Sequence, residues 1–141
     1  MKRLILVALA LGTATMLVAC GGGSSSGLTG KTWHLTAITE KVPAFQGVIP
    51  AADQSKYAIT FNDGATFNAT ADCNQVNGSY KTTGSNGLTI TPGPSTLAFC
   101  GENSFDQQFV AGLSQAASYT VSGNDLTITL ADGGTMTFVA A

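Results

Sequence analysis

Residues 57–71 read Tyr57-Ala58-Ile59-Thr60-Phe61-Asn62-Asp63-Gly64-Ala65-Thr66-Phe67-Asn68-Ala69-Thr70-Ala71. Tyr57, Ile59 and Phe61 fall on one side of an extended chain, and Phe67, Ala69 and Ala71 on one side of the next, with polar residues in most slots between. Asn62-Asp63-Gly64 separates the two runs and supplies residues that accept positive φ, as a hairpin turn requires. This is the pattern of two half-buried antiparallel strands, and it recurs outward in both directions.

Upstream, Trp33, Leu35 and Ala37 alternate with Thr32, His34 and Thr36. Downstream come residues 78–82 around Tyr80, then Leu88/Ile90, Tyr119/Val121, Leu126/Ile128/Leu130 and Met136/Phe138. Ser85-Asn86-Gly87, Gly123-Asn124-Asp125 and Asp132-Gly133-Gly134 mark further turns. The pattern predicts a mainly β domain of about eight strands, closed or sandwiched, with one helix.

That helix is expected between Asn103 and Ala117, where Phe105, Phe109, Leu113 and Ala116 share a helical face. Ser104 with Gln107 three residues on resembles a capping box, and Asn103 is the alternative cap. Residues 40–56 resist assignment. Pro43, Gly47 and Pro50 rule out continuous regular structure, while Val42, Phe45, Val48 and Ile49 favour packing, so a long loop folded over an edge or mouth of the sheet is expected.

The N-terminus is of another kind. Lys2 and Arg3 precede an uncharged, largely apolar run from Leu4 to Val18. As a helix it would span only about 22 Å, short of a hydrocarbon core of roughly 30 Å, so residues 1–19 read as a secretory signal. Leu17-Val18-Ala19-Cys20 is similar to a bacterial lipobox, which implies cleavage between Ala19 and Cys20 and acylation of the Cys20 sulfur; the alternative is an ordinary signal ending on a chance cysteine. Two or three acyl chains anchor stably where one does not. Residues 20–27 then form a lipidated Cys with a Gly/Ser tether of about 15 Å reach, and residues 28–141 form the folded domain.

Composition agrees once the two parts are separated. The 141-residue chain is 44% hydrophobic, but residues 21–141 alone are about 39%. Those residues carry four Lys, no Arg and eight Asp plus Glu. Such a balance leaves no basic footprint for nucleic acid and weakly repels an anionic bilayer surface.

With Cys20 assigned to the membrane, Cys73 and Cys100 remain as an even pair. In an oxidising compartment a disulfide is the expected state. A metal site would need Cys73, Cys100, His34 and a carboxylate such as Asp72 to converge, and nothing in their spacing favours that. No metal and no cofactor is predicted.

At these cysteines the chain resembles the META domain family, which includes the heat-shock lipoprotein HslJ. Cys73-Asn74, Gly78 and Tyr80 match its CN-x-x-x-G-x-Y block, Thr96 and Cys100 its T-x-x-x-C block, Trp33-x-Leu35 its opening strand, and Leu126-Thr127-Ile128 its late L-T-L strand. The blocks occur in the family's order across residues 28–141. Gln75 and Leu97 stand where family members often carry Arg, so any anion contact of those arginines is in doubt here. The resemblance implies a small antiparallel β-barrel-like fold with one helix, found in envelope lipoproteins and associated with stress or antibiotic tolerance. A similar fold occurs in a type III secretion pilotin that binds acyl chains in its barrel.

The residues offer no catalytic constellation. His34, the single histidine, sits on the Thr-bearing and outward face of its strand, and a nucleophile–His–carboxylate set is not evident. Asp63, Asp125 and Asp132 read as turn formers, and Glu102 and Asp106 suit a helix N-terminus. Only Asp72 lacks a structural reason. The expectation is therefore a non-enzyme. Two functions stay open: a lipoprotein held to the membrane through Cys20 that contacts another envelope protein, or a carrier of an acyl chain or small hydrophobic ligand. Solid packing of Trp33, Tyr57, Phe61, Phe67, Tyr80, Phe105 and Phe109 would favour the first, and a void of about 300 Å³ or more opening to the surface the second. Gly21 after Cys20 is not the Asp that retains lipoproteins in the inner membrane, so the outer membrane, periplasmic side, is expected.

Overall fold

The computed structural model describes residues 27–141. The expected signal peptide over residues 1–19, the lipidated Cys20 and most of the expected tether over residues 20–27 lie outside the described residues. Nine antiparallel strands follow one another as β1 (Thr32–Lys41), β2 (Ala44–Val48), β3 (Tyr57–Asn62), β4 (Thr66–Ala71), β5 (Asn74–Thr83), β6 (Gly87–Ser95), β7 (Ala116–Ser122), β8 (Asp125–Leu130) and β9 (Thr135–Ala140). One helix, α1 (Asp106–Ser114), lies between β6 and β7, and a short 3-10 turn, Gln54–Lys56, precedes β3.

All strands but β2 run in the order β1-β3-β4-β5-β6-β7-β8-β9, and β9 pairs back onto β1 to close an eight-stranded barrel. β2 is the extra strand. It pairs with the C-terminal half of β1 (Ala37 opposite Val48, Lys41 opposite Ala44), while β3 takes the N-terminal half of the same edge (Thr32 opposite Thr60).

The quoted hairpin has the expected pattern. Tyr57, Ile59 and Phe61 and their partners Ala71, Ala69 and Phe67 are all buried. The alternation of β1 breaks at Thr36, where a bulge shifts the register against β9. Trp33 and Leu35 face inward as expected, but Ile38 rather than Ala37 is the next buried residue. The extra residue flips the parity of all that follows it. Thr36 Oγ1 bonds Thr137 O at 2.9 Å, and its carbonyl accepts from Ile49 N–H at 2.8 Å.

Residues 40–56 are more regular than expected, because β2 occupies five of them. Gly47 allows this. A Cβ there would stand 2.8 Å from the Phe105 ring and 3.1 Å from the Phe45 ring, so the strand tolerates no side chain where the aromatics cross it. The helix is shorter than the expected stretch. Phe109, Gly112 and Leu113 form its buried face, and Ala116 already belongs to β7. No capping box forms. Phe105 is the N-cap residue, its N–H donates to the Tyr57 hydroxyl at 3.0 Å, and Ser104 Oγ accepts from Asp106 N–H at 3.2 Å.

The barrel has two unlike ends. The chain enters at one, where Leu28 is fully buried, Thr29 bridges Phe61 and the Trp33 indole N–H donates to Leu28 O at 2.9 Å. The β3–β4, β5–β6 and β7–β8 turns share this entry end. The β1–β2, β4–β5 and β8–β9 turns lie at the other, with α1 and the long connection of residues 96–105. Six-residue strands separate the ends by roughly 20 Å. β6 and β7 share one registered pair, Gly87 with Ser118, so the barrel wall is split there and α1 packs over β6.

Candidate functional site

Four of the recognised motif residues, Cys73, Asn74, Thr96 and Cys100, converge at the helix end. Cys73 lies in the tight β4–β5 turn and is bonded to Cys100, with Cα atoms 5.5 Å apart. The 28-residue loop so closed contributes about 3.5 kcal/mol on the chain-entropy model. Next to it, Asn74 is the one buried polar residue among those described, at 4% exposure. Its Oδ1 accepts from Ala98 N–H (2.8 Å) and Thr96 Oγ1 (3.0 Å), and its Nδ2 donates to Ala98 O (3.0 Å) and Asp106 Oδ2 (3.2 Å). Thr96 Oγ1 also accepts from Gln75 N–H at 3.0 Å. The CN block and the T-x-x-x-C block are thus two halves of one clasp, which ties residues 96–100 to β5 and to the first turn of α1. A buried amide is stable only when its donors and acceptors are matched, and here they are.

The other motif positions are architectural. Trp33 and Leu35 are fully buried. Gly78 follows a register shift in β5, and a Cβ there would overlap the Thr91 carbonyl and lie 2.7 Å from the Phe67 ring. Tyr80 stacks edge-on against Phe61 and donates its hydroxyl to Asn62 O at 2.9 Å, near the entry end. Burial pushes its phenol pKa up, with the Asp63 charge adding to the effect.

Asp72, which the sequence left unexplained, is a turn residue at φ 57°, a conformation that Asp tolerates. Its carboxylate accepts from the Tyr57 hydroxyl at 3.3 Å. His34 is half-buried on β1, opposite Ala58 and Val139. Among the described residues no three His, Cys, Asp or Glu side chains are grouped to hold a metal. Asp132 joins two turns of the helix end. It accepts backbone N–H bonds from Gly134 and Lys41 (2.6 Å each) and Val42 (3.0 Å), and these hold its carboxyl below the usual range.

Two surfaces at this end are free to meet a ligand. Leu97 and Phe99 project from the clasped loop at 92% and 83% exposure. Beside them a mostly apolar groove of about 480 Å³ runs between α1 and β5–β6, lined by Val76, Pro92, Leu97, Val110 and Ala111, with Asp106 at its polar side. A more polar hollow of about 290 Å³ lies around Tyr57 and Asp72, where Lys56 pairs with Asp53 at 2.8 Å. The barrel interior is filled instead: Trp33, Tyr57, Phe61, Phe67, Tyr80 and Phe109 are each 9% exposed or less, and half-buried Phe105 packs edge-on against Tyr57. The void that sequence reasoning sought inside the barrel lies outside it. Leu97 and the helix face were visible in the sequence, but their adjacency depends on a clasp closed across more than twenty residues.

The family model of the META domain matches residues 26–141. Among solved structures, a Burkholderia xenovorans protein determined by NMR superposes with a TM-score of 0.65 at 20% identity, covering 81% of this chain and 83% of that one. A crystal structure of a DUF4847-family protein from Bacteroides vulgatus superposes with a TM-score of 0.64 at 14% identity, covering 81% and 94%. No curated protein matches the sequence.

Proposed function

The chain belongs to the META domain family, and from that premise we propose that it is a non-enzymatic envelope lipoprotein that works by protein contacts at the helix end of its barrel. The observation that carries this reading is the exposure of Leu97 and Phe99 on a loop fixed by the Cys73–Cys100 bond and the Asn74 clasp. Large apolar side chains held rigid in water are a cost to a solitary domain and an asset to a docking one, because ordering them at the interface costs little further entropy. Leu97 also stands at one of the two positions where the family often has Arg, so this member carries an apolar contact where a cationic one is common.

The position of the loop supports a protein rather than the bilayer as its target. The chain enters the barrel at the opposite end, so a lipid on Cys20 and a tether of about 15 Å would keep the entry end next to the membrane and the clasped loop away from it. Support of envelope integrity under stress is the role the family resemblance suggests. Site-specific photocrosslinking in the native envelope tests the contact. A probe at Phe99 should give a discrete adduct that a probe at Ser85, on the entry end, does not. The double variant Leu97→Ser/Phe99→Ser should abolish complex formation while shifting stability by no more than about 0.5 kcal/mol, since both side chains are already solvated. Equal adducts from both ends would sink the proposal.

The groove favours a second reading, in which α1 and β5–β6 hold an acyl chain, since its volume lies within the usual range of ligand sites. Native mass spectrometry with added palmitate tests it. Uptake that Val110→Trp eliminates would support a carrier, and no uptake would remove that reading.

A further inference from the structure

We propose that Cys73 is a thiol–disulfide exchange site, attacked at its sulfur by an external dithiol while Cys100 departs as the thiolate. The two sulfurs of the bond are not equivalent. Cys73 is exposed in its tight turn, whereas Cys100 is half-buried beneath the clasped loop. Two nitrogens face Cys100 Sγ: the backbone N–H of Cys73 donates at 3.2 Å, and Asn74 Nδ2, which shares its two hydrogens with Ala98 O and Asp106 Oδ2, lies at 3.3 Å. Among the described residues no N–H is directed at Cys73 Sγ. Carbonyl oxygens act the other way but from farther off: Ala98 O lies 3.6 Å from Cys100 Sγ and 3.9 Å from Cys73 Sγ, and Ala71 O lies 4.0 Å from Cys100 Sγ, all beyond the 3.2 and 3.3 Å of the two nitrogens.

Exchange rates depend on which sulfur can be reached and on how well the other bears negative charge as it leaves. Donors pointed at a sulfur stabilise its thiolate form. Here access and leaving-group stabilisation select the same direction. The attacking thiolate forms a bond to Cys73 Sγ as the Cys73–Cys100 bond breaks, and the electron pair of that bond leaves on Cys100. The second thiolate of the reductant then attacks its own sulfur in the mixed disulfide, becomes a disulfide itself and releases Cys73. Two electrons pass from the dithiol to the protein, and the two protons the dithiol loses end on Cys73 and Cys100.

The consequence falls on the loop that carries Leu97 and Phe99. With the covalent bond gone, the loop is held only by the Asn74 hydrogen bonds and the Thr96–Gln75 pair, both at its start, and the rigid display of the two side chains ends. Control of docking in this way rests on the protein-contact reading above; the direction of exchange does not.

The test uses the full chain in detergent with Cys20→Ser, so that no third thiol competes. Oxidised protein is pulsed with reduced glutathione, quenched with acid and mapped by peptide mass spectrometry at early times. Glutathione should be found on Cys73 over Cys100 by about tenfold in the folded protein, consistent with unequal access and leaving-group stability. In urea the ratio should fall toward one. A folded-state ratio near one, or a preference for Cys100, overturns the proposal. Asn74→Ala should lower the folded-state preference, and Tyr80→Phe should leave it unchanged. Hydrogen exchange before and after reduction supplies the second readout: the Thr96 and Ala98 amides should exchange at least tenfold faster once reduced while those of β8 and β9 stay protected. Unchanged protection of Thr96 and Ala98 would overturn the loop release, whether or not a docking partner exists.

Discussion

The two ends of this barrel are built by different chemistry. At the entry end the chain is held mainly by local turns, by Leu28 buried under the first strand, and by the Tyr80 hydroxyl on the Asn62 carbonyl, with one long-range polar contact on the surface, Lys31 Nζ donating to Gly123 O at 2.8 Å. At the helix end the turns and the long loop are held by polar side chains and a disulfide whose partners lie far apart in sequence: Asn74 with residues 96, 98 and 106, Asp132 with residues 41 and 42, Cys73 with Cys100. Apolar burial fixes a fold without leaving much to recognise. Side-chain clasps permit an end that is irregular, partly apolar at its surface and still ordered, and that is the end for which a docking role is proposed.

The largest expected effect breaks the entry end. Trp33→Ala removes a fully buried side chain and its bond to Leu28, and should destabilise the domain by about 3–5 kcal/mol, measured by urea unfolding. Loss of protection should be global, reaching β9 as well as β3. A loss confined to residues 28–35 would mean that the two ends are not one cooperative unit.

Asn74→Ala comes next and sharpens the contrast. It leaves the Ala98 amide and the Thr96 hydroxyl without their acceptor, at a cost of about 1–3 kcal/mol. Hydrogen exchange should accelerate in residues 96–106 and remain slow in the β3–β4 hairpin. Equal acceleration at both ends would show that Asn74 supports the whole core rather than a clasp.

The smallest effects are on pH dependence, and they have opposite signs. The Asp132 carboxyl is depressed by backbone N–H donors, so its stabilisation is present above the unfolded carboxylate range near pH 4 and is lost as pH falls through the lower folded value. The Tyr80 phenol is raised by burial, so its contribution is intact below about pH 10 and is lost as pH rises through the higher folded value. Asp132→Asn should flatten the acid limb of stability, and Tyr80→Phe the alkaline limb, each leaving the other limb unchanged. A flattened alkaline limb in Asp132→Asn would show that the two clamps are coupled.

Legibility in the sequence follows the same division. The entry end was readable because its signals are local: alternation in residues 57–61 and 67–71, and turn residues at 62–64, 85–87 and 123–125. The bulge at Thr36 was not, since one extra residue in β1 is decided by its pairing with β9, about a hundred positions away. β2 was hidden because Pro43 and Gly47 read as breakers, whereas Gly47 is what the crossing Phe45 and Phe105 rings require. At the helix end the family blocks marked Asn74 and Thr96 without disclosing their chemistry. A buried asparagine's partners cannot be counted from its neighbours. Asp72 shows the reverse, a carboxylate that seemed spare until the turn and the Tyr57 hydroxyl accounted for it.

The closure of β1 on β9 also sets a schedule. Trp33 pairs with Ala140 and Thr39 with Thr135, so the first strand of the wall waits for the last. Pairings of such long sequence separation are slow to form because the intervening chain must be ordered first. While β9 is still being synthesised, β1 has no partner on that edge and the barrel cannot close. An unclosed chain is what a secretory leader such as that expected of residues 1–19 has to deliver through a translocon. The topology therefore postpones closure of the wall until the last strand is available to pair with the first.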